Sequence, residues 1–340
     1  MKIAILGSGS YGLALASRLL MNKNDVEMWT YSKEEKKQLK ETRISSKLPN
    51  YKIPKEIKIT TNMKKAVYDS KIIIIAVPAF AVDDIAKKLS KYIKSTQHIL
   101  IATKGIEQDT CKFLTDVVLE YINTNRLAVI SGPTFAVDII KDVPIGLSLG
   151  TTNELTKKTI LQAFTNPKTK LRPTLDIVGI EICGAIKNVM AIASGMLEGM
   201  NVADSTKALF LTEALNDIKE IIDVLGGNKK TILSFAGFGD ILMTCTSPNS
   251  RNFTFGKILG SGKTEEVKKY RETTTVEGLY TLKSIQKLLQ DTGAKIPIID
   301  LIYDINYRLY KNNILIDEVS SYFGIRKISI ENSKILLLKK

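Results

Sequence analysis

The stretch "IAILGSGSYG" (residues 3–12) sets an apolar run against three glycines, Gly7, Gly9 and Gly12. That spacing suits a phosphate. The first glycine permits a tight turn, the second lets the backbone approach a pyrophosphate, and the third lets the following helix pack on the strand. The N–H groups at the helix start then face the anion. An ordinary strand–turn–helix is the bland alternative, and the glycines alone do not decide. Their flanks do: "KIAIL" has a buried-strand pattern and "YGLALASRLLMN" (11–22) has one apolar helical face. Together they predict a dinucleotide-binding unit.

Further strand patterns follow at "DVEMWT" (25–30), "IKIT" (57–60), "KIIIIAVP" (71–78), "HILIATKG" (98–105), "LAVISGP" (127–133) and "IGLSLG" (145–150), with "KLRPT" (170–174) as a late addition. Helical patterns lie between several of them, at 81–94 and 110–123. This alternation predicts an α/β fold, a Rossmann-type, mostly parallel sheet covered on both faces. From about residue 177 strand signals fade and helices are predicted over 177–200, 205–226, 276–293 and 298–310. The expected division is a Rossmann domain over 1–178 and an all-helical substrate domain over 179–340.

Composition narrows the class. The chain has 340 residues, 44% of them hydrophobic and 25% charged, ordinary for a globular protein with a large core. No apolar run is read as a membrane span, and the N-terminal apolar piece is too short for a signal peptide. Three widely spaced cysteines, Cys111, Cys183 and Cys245, fit reduced thiols in a cytoplasmic protein and neither a disulfide framework nor a zinc site. The net charge is +14, but Lys outnumbers Arg 41 to 8 and the lysines are scattered. Attraction of an anionic substrate is the economical reading, without nucleic acid or membrane insertion.

Ligands of open parallel sheets bind beyond the carboxyl ends of the strands. Three such ends stand out: "AVPAF" (76–80), "ATKG" (102–105) with Lys104, and "SGPTFA" (131–136), a Gly-Pro turn opening a short helix. Taken alone, Lys104 reads as a solvated lysine. In "CGAIKNVMAIASG" (183–195), Gly184, Lys187, Ala191, Ser194 and Glu198 fall on one helical face. A lysine there, among apolar neighbours, is a candidate for proton transfer rather than for a wetted stripe. "FAGFGDILMTCTSPNSRN" (235–252) offers Asp240 after a glycine-rich turn and Arg251 in a polar loop, suited to bidentate phosphate recognition. The single histidine, His98, begins a predicted strand, so any acid/base group is expected to be a lysine. No metal-ligand cluster is read.

These segments together resemble the bacterial-type NAD(P)-dependent sn-glycerol-3-phosphate dehydrogenases. The matching blocks are "GSGSYG" (7–12), "ATKG" (102–105), "ISGPTFA" (130–136), "GAIKNVMAIASGM" (184–196), "GFGDILMTCTSPNSRNFTFG" (237–256) and "TVEG" (275–278), in the family's order, with similarity over about 1–310. The resemblance implies hydride exchange between NAD(P)H and C2 of dihydroxyacetone phosphate, giving sn-glycerol 3-phosphate for phospholipid synthesis. It implies that Lys187 is the proton-transfer residue, that Lys104 contacts cofactor and substrate, and that Asp240 is a polar residue near the catalytic lysine. It places Ser250, Arg251 and Asn252 in the substrate loop, with Arg251 as phosphate clamp and a cofactor contact as well. Gly132 and Thr134 match substrate-side positions. Gly7, Gly9, Ser10, Tyr11, Gly12, Ala136, Val276 and Glu277 match the cofactor side, and Tyr31 takes a cofactor-side position without matching the family's residue there.

Two features depart from the family. Where relatives carry His or Arg after the second strand, this chain has "WTYSKEE" (29–35), and the tail 314–340 follows no family pattern. No carboxylate occupies Tyr31 or Ser32, which leans the expected cofactor slightly to NADP over NAD, although Glu34 and Glu35 follow closely and either could swing to a ribose hydroxyl. A related dehydrogenase of the 3-hydroxy-acid or phosphogluconate type is argued against by "SGPTFA" and "NSRN". A non-catalytic nucleotide-sensing module is argued against by Lys104, Lys187, Asp240 and Arg251 together. The oligomeric state is not readable from these patterns, and a homodimer is left open.

Overall fold

A computed structural model describes residues 1–304 except 291 and 295. The chain forms two compact units, Met1–Glu181 with Ser234–Ala236, and Ile182–Leu233 with Gly237 onward. The tail 314–340 and the end of the helix expected over 298–310 lie outside the described residues.

The first unit carries strands β1 (Lys2–Leu6), β2 (Asp25–Trp29), β3 (Ile44–Ser45), β4 (Leu48–Lys52), β5 (Lys58–Thr60), β6 (Ile72–Ile75), β7 (His98–Ile101), β8 (Leu127–Ser131), β9 (Ile145–Gly150) and β10 (Thr169–Thr174). Its helices are α1 (Ser10–Met21), α2 (Lys33–Glu41), α3 (Met63–Val67), α4 (Val82–Leu89), α5 (Leu114–Tyr121), α6 (Ala136–Ile139) and α7 (Glu154–Phe164). Eight strands form one sheet in the order β10-β9-β8-β7-β6-β1-β2-β5. Neighbours are parallel from β5 to β8, β8 and β9 run antiparallel, and β9 and β10 are parallel. Central strands β1, β6 and β7 are nearly continuous Ile and Leu with both faces buried, as a helix-covered parallel sheet requires. The chain leaves β1 toward β2 on one side and returns through β6 on the other. The β1–β6 junction is therefore the switch point, where a crevice opens beyond the strand ends.

The short hairpin β3–β4 was not expected; "LPNYK" carries a proline and alternates too weakly to announce a strand. His98 is a core residue, its Nδ1 2.9 Å from Thr156 Oγ1. Burial first, then the nearby Arg126 and Lys71 charges, push its pKa down to about 4, so the imidazole is neutral.

Helix α8 (Ile177–Gly199) begins in the first unit and continues into the second. It corrects the expectation that no apolar run reaches membrane-span length: α8 is long and apolar enough, but it is mostly buried within the protein, as a core helix is. The second unit adds α9 (Asp204–Val224), α10 (Asp240–Thr246), α11 (Arg251–Gly260), α12 (Thr264–Thr273), α13 (Glu277–Leu289) and α14 (Pro297–Tyr303). Among the described residues it is entirely helical.

Within this unit α8 and α11 lie backbone to backbone. A Cβ added to Gly195 would stand 2.1 Å from Phe253 O, one on Gly199 2.2 Å from Lys257 O, one on Gly256 1.9 Å from Ile192 O, and one on Gly260 2.1 Å from Met196 O. Each helix thus offers two glycines four residues apart, on one face, and the two helices run in the same direction. That register sets the start of α11 beside the Lys187–Ala191 turn of α8.

Candidate active site

In the first unit the three glycines of the opening motif meet three different constraints. Gly7 has φ of +125°, and a Cβ there would lie 2.4 Å from Ala76 O. A Cβ on Gly12 would lie 2.5 Å from Gly7 O, so this glycine lets α1 close on the loop. A Cβ on Gly9 would meet nothing within 4 Å. Neither packing nor backbone conformation asks for glycine at Gly9, whose φ of −66° suits any residue. The open space in front of it, at the start of α1, fits the pyrophosphate of a dinucleotide.

Beyond the ends of β7 and β8 the structure gathers Tyr11, Lys104, Gly132 and Thr134. Lys104 Nζ donates to Gly132 O (3.1 Å) and stands 5.8 Å from the centre of the Tyr11 ring. Tyr11 Oη is 3.3 Å from Thr134 Oγ1, which also donates to Gly132 O. Gly132 is held tight, since a Cβ would come within 2.5 Å of Gly146 O. Ser10 begins α1 and Ala136 begins α6. Tyr31, past the end of β2, is 81% exposed, with Lys88 Nζ 5.8 Å from its ring centre. Lys104 is therefore half-buried and bonded, not the solvated lysine its strand-end position alone suggested.

In the second unit Lys187 and Asp240 form a buried ion pair. Lys187 Nζ donates to Asp240 Oδ1 at 2.7 Å and to Thr244 Oγ1 at 3.3 Å, and Asp240 has no exposed surface. The glycine-rich turn Phe235–Gly239 leads directly into α10, whose first residue is Asp240; Thr244 follows one turn later on the same face. Sequence reading did not single out Thr244, though the Asp240/Thr244 spacing of four was a legible sign. Burial first, opposed by the Lys187 charge and reinforced by that of Asp240, pushes the neighbouring Cys245 thiol up to about 12, so it is no nucleophile.

Arg251 does not sit in a loop. It is the first residue of α11, capped by Ser250, whose Oγ accepts from Phe253 N at 3.2 Å. Asn252 turns inward and its Oδ1 accepts from Gly278 N at 2.9 Å, tying the start of α11 to the start of α13. Val276 is the buried cap of α13 and Glu277 its first residue. Glu277 accepts from Asn188 Nδ2 (3.4 Å) and lies 3.5 Å from Arg251 Nη2. The Arg251 side chain is half-exposed, so the segment "SRN" divides its labour: two residues fix the helix start and the arginine faces outward.

One carboxylate gained weight in the structure. Glu35 accepts from Ser8 Oγ (2.6 Å), Thr30 Oγ1 and Lys47 Nζ (2.7 Å), closing the gap between the glycine loop and the end of β2.

Comparison with known proteins places the chain in a family. Residues 2–157 match the family model described as NAD-dependent glycerol-3-phosphate dehydrogenase N-terminus, and 176–317 match that of its C-terminus. A glycerol-3-phosphate dehydrogenase (NAD(P)+) of Fusobacterium nucleatum is 34% identical over 337 residues, 98% of each chain. A glycerol-3-phosphate dehydrogenase structure from Coxiella burnetii superposes with a TM-score of 0.84 at 29% identity, covering 90% of this chain and 94% of that one. A Plasmodium falciparum glycerol-3-phosphate dehydrogenase structure shares the fold, with a TM-score of 0.84 at 19% identity over 98% of this chain and 97% of its own.

Proposed function

Because the chain belongs to the NAD-dependent glycerol-3-phosphate dehydrogenase family and is an NAD(P)-dependent oxidoreductase, we propose that it reduces dihydroxyacetone phosphate to sn-glycerol 3-phosphate, reversibly, as a cytoplasmic supplier of phospholipid backbones. The observation that carries this reading is the buried Lys187–Asp240 pair, a cation held at a defined point inside a helical unit.

Bound NAD(P)H supplies the hydride to C2. As negative charge develops on the C2 oxygen, the Lys187 ammonium donates a proton to it; in the reverse direction the neutral amine accepts that proton. Asp240 keeps the ammonium oriented and offsets its charge, which lowers the cost of holding a cation at this buried point. Thr244 adds a second polar partner and narrows the positions Nζ samples.

Arg251 is the phosphate-binding group: its guanidinium is half-exposed, fixed at a helix start, and offers two parallel donors to phosphate oxygens. Ser250 and Asn252 support it. Lys104, with Gly132 and Thr134, serves the substrate and the nicotinamide side. Gly7, Gly9, Ser10, Tyr11, Gly12, Tyr31, Ala136, Val276 and Glu277 serve the cofactor.

The test is oxidation of NADH and of NADPH with dihydroxyacetone phosphate and with unphosphorylated dihydroxyacetone. Consumption that depends on the phosphate supports the proposal. No consumption with either cofactor, or equal use of the two substrates, overturns it.

A further inference from the structure

We infer that Glu35 is the residue through which this chain reads the 2′ position of the cofactor's adenosine ribose, and that it turns the enzyme toward NADH. The inference rests on the reading that the glycine loop holds NAD(P).

In NAD-selective dinucleotide-binding sheets the ribose 2′-hydroxyl is met by an acidic side chain near the end of the second strand, and in NADP-accepting ones a cation takes that place. Here that strand ends at Trp29, and the next residues, Thr30, Tyr31 and Ser32, supply no carboxylate. Local helix geometry supplies one instead. Ser32 caps α2, its Oγ accepting from Glu35 N at 3.1 Å, and this first turn folds the Glu35 side chain back over the strand end. Oε2 accepts from Ser8, the residue between Gly7 and Gly9, and from Thr30. The carboxylate therefore stands beside the glycine loop, where the ribose of a dinucleotide lies.

It is an anion there. Burial pushes the carboxyl up, but the bonds from Lys47, Ser8 and Thr30 outweigh burial and hold it below its ordinary value. Oε1 has Lys47 as its one donor among the described residues and keeps a lone pair for a ribose hydroxyl. A 2′-phosphate brought to the same place meets a fixed like charge.

Lys47 opposes this effect, and the geometry says which side chain dominates. Glu35 is pinned by three donors from three segments and is mostly buried. Lys47 is half-exposed at the β3–β4 turn, with a long flexible stem that must be ordered before it can hold a phosphate. A preorganised anion against a flexible cation favours the hydroxyl.

The experiment titrates NADH and NADPH separately into the full chain without substrate. Energy transfer from Trp29, the chain's one tryptophan, to the reduced nicotinamide reports binding. The ratio of kcat/KM for the two cofactors with dihydroxyacetone phosphate is measured in parallel. The wild type is expected to bind NADH at least about tenfold more tightly, the scale of one screened charge–charge contact at a protein surface. Glu35→Gln keeps the shape and an acceptor for Ser8 and Thr30; it is expected to shrink the ratio by about the same factor, by tightening NADPH. Lys47→Met, which leaves the Glu35 network with Ser8 and Thr30 in place, is expected to move the ratio the other way. The inference is overturned if the wild type prefers NADPH. It is also overturned if Glu35→Gln weakens both cofactors equally, which is what a merely structural role for Glu35 would do, or if neither variant moves the ratio by more than about twofold. Failure of the wild type to bind either cofactor overturns instead the dinucleotide reading, and this inference with it.

Discussion

Removing one member of the Lys187–Asp240 pair separates chemistry from structure. Both side chains are at least nine-tenths buried, and their 2.7 Å contact is within the helical unit. Lys187→Met strands the Asp240 carboxylate in the interior, and Asp240→Asn strands the ammonium. Breaking one side of a buried pair costs about 3–5 kcal/mol. For a unit of this size each kcal/mol lowers the melting midpoint by roughly 2–4 °C, so each single variant is expected to melt roughly 10 °C lower. The double variant Lys187→Met/Asp240→Asn removes both charges, and most of that loss is expected to return, because a neutral replacement of a buried pair is often tolerated. Activity follows a different rule: Lys187→Met and the double variant both lack the proton donor, and kcat falls by about 10²–10⁴-fold in each. Far-UV circular dichroism is the right stability probe, since Trp29 lies in the other unit. Steady-state kinetics is run well below both midpoints. If the double variant is as unstable as the singles, the pair is not coupled as described. If the double variant regains activity along with stability, Lys187 is structural and the mechanism is wrong.

Arg251→Lys is expected to raise KM for dihydroxyacetone phosphate about tenfold and Arg251→Ala further, with smaller changes in kcat, since a point charge cannot replace two parallel donors; an unchanged KM in the alanine variant removes the clamp assignment. Gly9→Ala is expected to melt with the wild type yet lose NADH affinity by about tenfold or more, because the added methyl enters only the space kept for the pyrophosphate; Gly12→Ala is expected to destabilise the fold through its 2.5 Å clash with Gly7 O. Glu181, a buried residue, accepts from Thr115 N and Oγ1, and burial, only partly offset by those bonds, raises its pKa from 4.5 to about 7. Between pH 4.5 and 7 the folded state then holds the extra proton, so stability falls as pH rises through that window, by about 3 kcal/mol in total. Glu181→Gln is expected to flatten this slope and to raise the melting midpoint at pH 8, read from Trp29 fluorescence. A slope unchanged in the glutamine variant places the titration elsewhere.

Much of the first unit was legible because its signals are local. Apolar runs bounded by turn residues marked all eight strands of the main sheet to within a few residues, and "GSGSYG" announced both its neighbours and its ligand class. Strand direction was less legible: the antiparallel β8–β9 step depends on how the chain crosses the sheet, which no short window records. Arg251 was misplaced in a loop because "SPNSRN" is polar and turn-rich; the same serine that signals a turn also caps a helix, and the choice was made by Phe253, Phe255 and Leu259 finding a core on one side.

By itself the sequence determined the residue types and the intervals: a lysine in an apolar helix, an aspartate after a glycine turn, an arginine behind a serine cap, glutamates behind the second strand. It could do so because periodicity, capping and turn chemistry act over a few residues. Only the tertiary structure decided which of these meet. Lys187 and Asp240 are 53 positions apart and pair because α10 packs beside α8. Arg251 stands beside the Lys187 turn because four glycines let two helix backbones touch at one register. Glu35 outranks Glu34 because a capped turn aims the former at Ser8 and Thr30 while the latter binds Ser32 at the surface. A contact between distant segments is a property of packed shapes and shared burial, and those exist only once the chain has folded.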